Sequence, residues 1–138
     1  MAETVLVGTD GSTSAEYAVK RALEEVTADG TLHAVFVVDT SMFDETGLSS
    51  AELATNEIED FGNGQLADIA EQGEKRGIEV VTRCCHGKPT DEIVAYADEI
   101  DASLIVLGQQ GQSNRGKNHI GSVTERVIRS TNREVLLV

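Results

Sequence analysis

Five short apolar runs, each of strand length, alternate along this chain with four stretches of helical period. No other feature restricts the fold as much. Residues 4–8, TVLVG, read as a buried strand. Ala15, Ala18, Val19, Ala22, Leu23 and Val26 then recur with the spacing of one helix face, and Thr13 and Glu16 are spaced as a capping box. Residues 32–38, LHAVFVV, form a second strand that ends at Asp39, and 40–50 read as loop. From about 51 to 76 the period is helical again. Gly62, Gly64 and Gly73 interrupt it, and because glycine weakens a helix interior a break is expected near 62–64. A third strand covers 78–84. Pro89 suits the first turn of a helix carrying Ile93, Val94 and Ala97. A fourth strand over 103–107, a helix over 123–130 and a terminal VLLV strand complete the chain.

The order is βαβαβαβαβ. Apolar strands alternating with amphipathic helices predict an α/β protein: a doubly wound five-stranded parallel sheet flanked by about four helices. At 138 residues the chain is one domain, 1–138, with no internal repeat, low-complexity tract or linker. In folds of this type ligands bind beyond the carboxyl ends of the strands, where the winding changes direction.

Charge and hydropathy exclude several functions. The formal net charge is −13, which argues against nucleic-acid binding through a broad basic face. Self-repulsion at that charge is screened by salt, so the composition fits either an ordinary acidic protein or one adapted to a salty cytoplasm. No apolar run approaches the roughly 20 residues that span a bilayer. MAETVLVG leads directly into a strand, with neither charged leader nor cleavage site. A soluble, cytoplasmic protein without a membrane partner is expected. Cys84 and Cys85 are adjacent and, on a strand, point to opposite faces. They form no zinc or CxxC spacing, and one is expected in the core with the other towards the surface.

The segment after the fourth strand, GQQGQSNRGKNHIGS over 108–122, can be parsed as a phosphate loop in two ways. A Walker A loop starts its helix at Gly-Lys, followed by a Ser or Thr that holds magnesium. Here Asn118 follows Lys117, and Ser122-Val-Thr-Glu125 forms a capping box that starts the helix five residues later. The second parsing uses Gly108 and Gly111, where missing side chains let backbone amides approach a phosphate. It also uses Gly121-Ser122 at a helix N-terminus, which favours anions. Glycines also end strands and serines also cap helices for purely structural reasons. A connection this long nevertheless exceeds the usual 2–6 residues by far. From 108 to 133, Arg115, Lys117, Arg126, Arg129 and Arg133 face Glu125 alone, a local +4 in an acidic chain. The three helix-side arginines could equally pair with acidic neighbours.

With these motifs in place, the sequence resembles the universal stress protein family. The nucleotide-binding members of that family carry Gly-x2-Gly-x9-Gly-(Ser/Thr) after the fourth strand, and Gly108, Gly111 and Gly121-Ser122 fit without a gap. The likeness extends from TVLVGTDGSTSAEYAVKRAL through VFVVD to GSVTERVIRSTNREVLLV. It implies strand order 3-2-1-4-5, in a Rossmann-like fold of the adenine nucleotide alpha hydrolase type, and a site for ATP or another adenine nucleotide, with Mg2+. Thr9 and Asp10 match the positions that meet base and ribose. Val38 matches the one that meets adenine through its backbone. Gly108, Gly111, Gly121 and Ser122 match the phosphate contacts, with Val123 and Thr124 following along the same helix start. A carboxylate such as Asp10 can take ribose hydroxyls, or it can simply make the Asp-Gly turn. Two departures stand out. Gln112 replaces a frequent arginine, and Glu134 replaces the proline that often precedes the last strand. Relatives often dimerise through that strand, so the resemblance implies a homodimer through 135–138.

No metal-ligand or nucleophile motif appears. His33, His86 and His119 lie far apart, and Gly47-Leu-Ser-Ser-Ala51 lacks the final glycine of a nucleophile elbow. The expectation is an ATP-binding regulator of the stress response with little or no turnover and an unidentified protein partner. The alternatives are a slow ATPase or a dimeric interaction module with a degenerate site.

Overall fold

The computed structural model describes residues 2–40, 48–109 and 122–138, and side chains outside 48–54. Its elements are β1 (Ala2–Thr9), α1 (Thr13–Glu25), β2 (Val26–Asp39), α2 (Leu48–Lys75), β3 (Glu79–Gly87), α3 (Pro89–Glu99), β4 (Leu104–Leu107), α4 (Ser122–Ser130) and β5 (Val135–Leu137). The strands form one parallel sheet in the order β3-β2-β1-β4-β5, as expected.

The alternation of side chains along each strand divides the core in two. Val5, Val7, Leu32, Val38 and Val106 face the layer built by Ala18, Val19, Ala22 and Leu23 of α1 and by Leu66 and Ile69 of α2. Leu6, Val35, Ile105 and Leu107 face Ile93, Tyr96 and Ala97 of α3 and Val127 of α4. The first two helices therefore cover one face and the last two the other. The change of face falls between the adjacent strands β1 and β4. Their following helices leave in opposite directions, which opens a crevice at the carboxyl edge.

Several local expectations are corrected. The cap of α1 is Ser12, not Thr13: Ser12 is still extended (φ −74, ψ 163) and its side chain accepts the Ala15 N–H, while Thr13 is already helical. Val26 is buried beside Leu23, as its place on the helix face implied. Its backbone has nevertheless turned extended, and it begins a β2 of 14 residues with a register shift against β1. The helix after β2 begins at Leu48 and runs unbroken to Lys75. Two of its glycines serve close approach. A Cβ on Gly62 would meet Cε1 of Phe36 at 2.7 Å, and one on Gly73 would run into the Val80 side chain. Only Gly64 faces open space. β3 extends to Gly87, and both cysteines lie on it, half-buried and unpaired. Cys84 packs on one core layer and Cys85 on the other, so neither is the surface thiol expected. Burial, with Glu92 beside it, pushes the Cys85 thiol up to about 11, which keeps it protonated and unreactive at neutral pH.

Candidate functional site

The β1–α1 turn is built from side chains that bond their own backbone. Thr9, the last residue of β1, accepts the Gly11 N–H on Oγ1 at 3.2 Å. Asp10 accepts the Ser12 N–H on Oδ1 at 2.9 Å, an Asx turn. Gly11 takes φ 79, a backbone that side chains disfavour, which is why Gly follows Asp here. Ser12 then caps α1. Asp10 thus makes the turn that its Asp-Gly context suggested, and the turn fixes where its carboxylate stands at the carboxyl edge.

The second component comes from β4 and α4. Extending the β1–β4 register past Val7–Val106 brings Gly108 alongside Thr9. A Cβ on Gly108 would lie 2.8 Å from the carbonyl carbon and oxygen of Ser14 in the first turn of α1. The glycine is therefore demanded by helix packing as well as by any ligand. The Gly108 carbonyl accepts the hydroxyl of Thr124 at 2.9 Å. Thr124 is buried, Val123 packs partly against the second core layer, and Ser122 is exposed at the start of α4. The N-terminus of α4 is thereby pinned over the end of β4, with its first N–H groups and dipole at the crevice. Glu125, in the first turn of α4, pairs forward with Arg129 at 2.7 Å. Gly111 and Gly121, with Gln112, Arg115, Lys117 and His119, lie outside the described residues.

The third component is the end of β2. Its ladder with β1 stops at Thr9–Phe36, while its ladder with β3 continues through Val38–His86 to Asp39–Gly87. The side chain of Val38 is fully buried in the core, so any ligand contact there falls to its backbone. Beside it, His86 Nε2 lies 3.0 Å from Glu59 Oε2 of α2. The structure therefore gathers Thr9, Asp10, Val38, Gly108, Ser122, Val123 and Thr124 at one edge of the sheet.

Two of the three helix-side arginines pair with acidic neighbours. Arg129 pairs with Glu125. Arg133 bridges Asp98 (3.1 Å) and Asp101 (2.9 Å) and donates to the Ala102 carbonyl, at the amino end of β4 and away from the crevice. The hydrogen bonds to Asp101 and Asp98 raise its pKa further. Arg126 remains exposed. Among the described residues no group of three or more His, Cys, Asp or Glu side chains is arranged to hold a metal, and no helix is long and apolar enough to cross a membrane. The two described histidines are engaged by Glu59 and, for His33, by Tyr96 at 2.8 Å. Neither contact was foreseeable, because each joins residues on separate elements with no local sequence signature.

The model of the Universal stress protein family matches residues 1–138. Among curated proteins, universal stress protein MJ0531 of Methanocaldococcus jannaschii is 33% identical over 97% of this chain and 80% of its own length. Universal stress protein Rv1636 of Mycobacterium tuberculosis is 31% identical over 99% and 95%. Among solved structures, MJ0577 superposes with a TM-score of 0.91 at 27% identity, covering 99% of this chain and 94% of that one. A universal stress protein solved in complex with cAMP gives 0.68 at 29% identity, covering 99% and 96%.

Proposed function

The chain belongs to the universal stress protein family, and from that premise we propose that it binds an adenine nucleotide in the crevice between β1 and β4 and acts as a nucleotide-dependent regulator in the stress response, with little or no turnover. The observation that carries this reading is the hydrogen bond from Thr124 to Gly108. It keeps the N-terminus of α4 against the end of β4, beside a β1–α1 turn already rigidified by Thr9 and Asp10. A glycine strand end facing a helix N-terminus suits a phosphate, and a carboxylate next to it suits ribose hydroxyls.

In this reading Thr9 and Asp10 take ribose and base, and the backbone of Val38 takes the adenine edge. Gly108, Gly111, Gly121, Ser122, Val123 and Thr124 cradle the phosphates. Thr124 acts there through its position, because its hydroxyl hydrogen is committed to Gly108. Our first choice of ligand is ATP with Mg2+ carried on the phosphates. The cAMP complex of a structural neighbour favours a cyclic nucleotide as the second choice. The protein acts in the cytoplasm, as a homodimer joined through 135–138.

The test is to denature the purified protein, identify any released nucleotide by mass spectrometry, and titrate the emptied protein with ATP–Mg2+ and with cAMP in concentrated salt. Gly111→Val and Gly121→Val serve as controls. Bound adenine nucleotide that both variants lose supports the reading. A protein that ignores every adenine nucleotide overturns it and leaves an interaction module. Sustained release of phosphate moves it to a slow ATPase.

A further inference from the structure

The contact between Glu59 and His86 lies where the nucleotide reading puts the base. His86 is the register partner of Val38, and Gly87 that of Asp39. Helix α2 runs antiparallel to these strands, since Gly73 lies against Val80 near the start of β3 and Gly62 against Phe36 near the end of β2. Going back along the helix from Gly62 therefore leads towards the carboxyl edge, and Glu59 is reached level with Val38. The stretch from Leu48 to Glu59 adds a further ~16 Å of helix at 1.5 Å per residue, so α2 projects past the ends of β2 and β3. This upper part of the helix stands as a wall beside the carboxyl ends of β2 and β3. Along this upper part of the helix, the bond from His86 Nε2 to Glu59 Oε2 at 3.0 Å ties the wall to the sheet. Below it the wall rests on Phe61, edge-on to Phe36 with 6.0 Å between ring centroids.

Building on the nucleotide-binding reading above, we infer that Glu59 and His86 are positioning residues for the base end of the site. They hold the α2 wall against the end of β3, and so set how tightly and how selectively the base is gripped. The pair is half-exposed, with side-chain accessibilities of 44% for His86 and 42% for Glu59. Its removal therefore leaves the core intact and loosens only the wall.

The experiment titrates ATP and GTP into the full-length protein and into His86→Ala, Glu59→Ala, the double variant and His86→Gln, with thermal unfolding recorded for each. The glutamine amide can still donate to Glu59 from about the place of Nε2. Each single alanine variant is expected to lose about two- to fivefold in ATP affinity, the range open to a half-exposed pair, and to lose less for GTP, so that base preference narrows. The double variant should be no weaker than either single one, because both remove the same contact. His86→Gln should restore the preference. Unchanged ATP affinity and preference in both alanine variants overturns the inference. So does an equal loss for both nucleotides that His86→Gln fails to restore. If the wild type binds neither nucleotide, the site reading itself falls, an outcome distinct from both.

Discussion

Thr124 donates its hydroxyl hydrogen to the carbonyl of Gly108 at 2.9 Å, linking the first turn of α4 to the end of β4 across 16 positions of sequence. The hydroxyl is buried, so the bond stabilises by about 1 kcal/mol and leaves an unsatisfied carbonyl when removed. Thr124→Val keeps the shape and deletes the donor. It is expected to cost about 1–2 kcal/mol in chemical denaturation and to weaken nucleotide binding, because the N-terminus of α4 is then no longer pinned. Thr124→Ser should retain most of both. A valine variant with full stability and weakened binding would instead make the hydroxyl a direct ligand.

Gly108 has two reasons to be glycine, and they can be separated. Its absent Cβ leaves room for the backbone of Ser14, 2.8 Å from where that atom would stand. Backbone cannot step aside as a side-chain tip can. Gly108→Ala is therefore expected to lower stability by about 1–3 kcal/mol through overpacking, even with no nucleotide present. Equal denaturation midpoints for the variant and the wild type would show that the strand end moves and that only the ligand needs the glycine.

The architecture was legible in the sequence because apolar strand segments alternate with amphipathic helices, although β3 (EVVTRCCHG) is itself partly polar and has no fully buried residue. The parallel sheet puts the ends of β1, β2 and β4, and with them Thr9, Asp10, Val38 and Gly108, at one edge; the strand order itself came from the family resemblance. What escaped depended on tertiary contact. Gly62 and Gly73 look like helix breakers until Phe36 and Val80 are seen to occupy the space of their missing side chains. Val26 has the burial of a helix-face residue and the backbone of a strand. Arg133 reads as part of a basic phosphate segment, yet it reaches back to Asp98 and Asp101 on the far edge of the sheet.

The glycines of α2 provide a paired test. Gly64 is exposed and faces open space, so Gly64→Ala should stabilise by about 0.5–1 kcal/mol, the helical cost of glycine against alanine. Gly62→Ala, two residues away in the same helix, drives a methyl group into the Phe36 ring and should destabilise. Thermal unfolding of the two variants must shift in opposite directions. Two upward shifts would mean that the Phe36–Phe61 contact rearranges freely.

His33 gives the stability a definite dependence on pH. Burial, followed by the Arg83 guanidinium nearby, lowers its pKa in the folded protein, and Glu79 opposes this only in part. Its Nδ1 faces the Tyr96 hydroxyl at 2.8 Å, with Arg83 stacked 4.0 Å over the Tyr96 ring and bonded to Glu99 at 2.7 Å. A group whose pKa is lower folded than unfolded binds more protons when unfolded, so stability rises with pH. The contribution is fully present above the ordinary histidine value of about 6.5, and it is lost as pH falls from there through the folded value. Denaturation midpoints measured between pH 8 and pH 5 should fall on the acid side more for the wild type than for His33→Gln. Parallel curves would remove His33 from the account.

The last strand tests the proposed dimer through its backbone alone. Within the β4–β5 ladder, Glu134 accepts from Ile105, and Val138 both donates to Leu107 and accepts from Gln109. Backbone groups on a parallel strand point to alternate sides, so those of Val135 and Leu137 face away from β4, along an edge that a second copy could extend. Proline at position 137 removes one outward N–H and leaves the bonds to β4 in place. Leu137 also belongs to neither core layer, unlike Leu136 and Val138 on one side and Val135 on the other. Leu137→Pro is therefore expected to give a folded monomer, read as halved mass in light scattering and an unchanged circular dichroism spectrum. A wild type that is already monomeric at micromolar concentration in concentrated salt would reject the dimer. A proline variant that stays dimeric would move the interface off this edge.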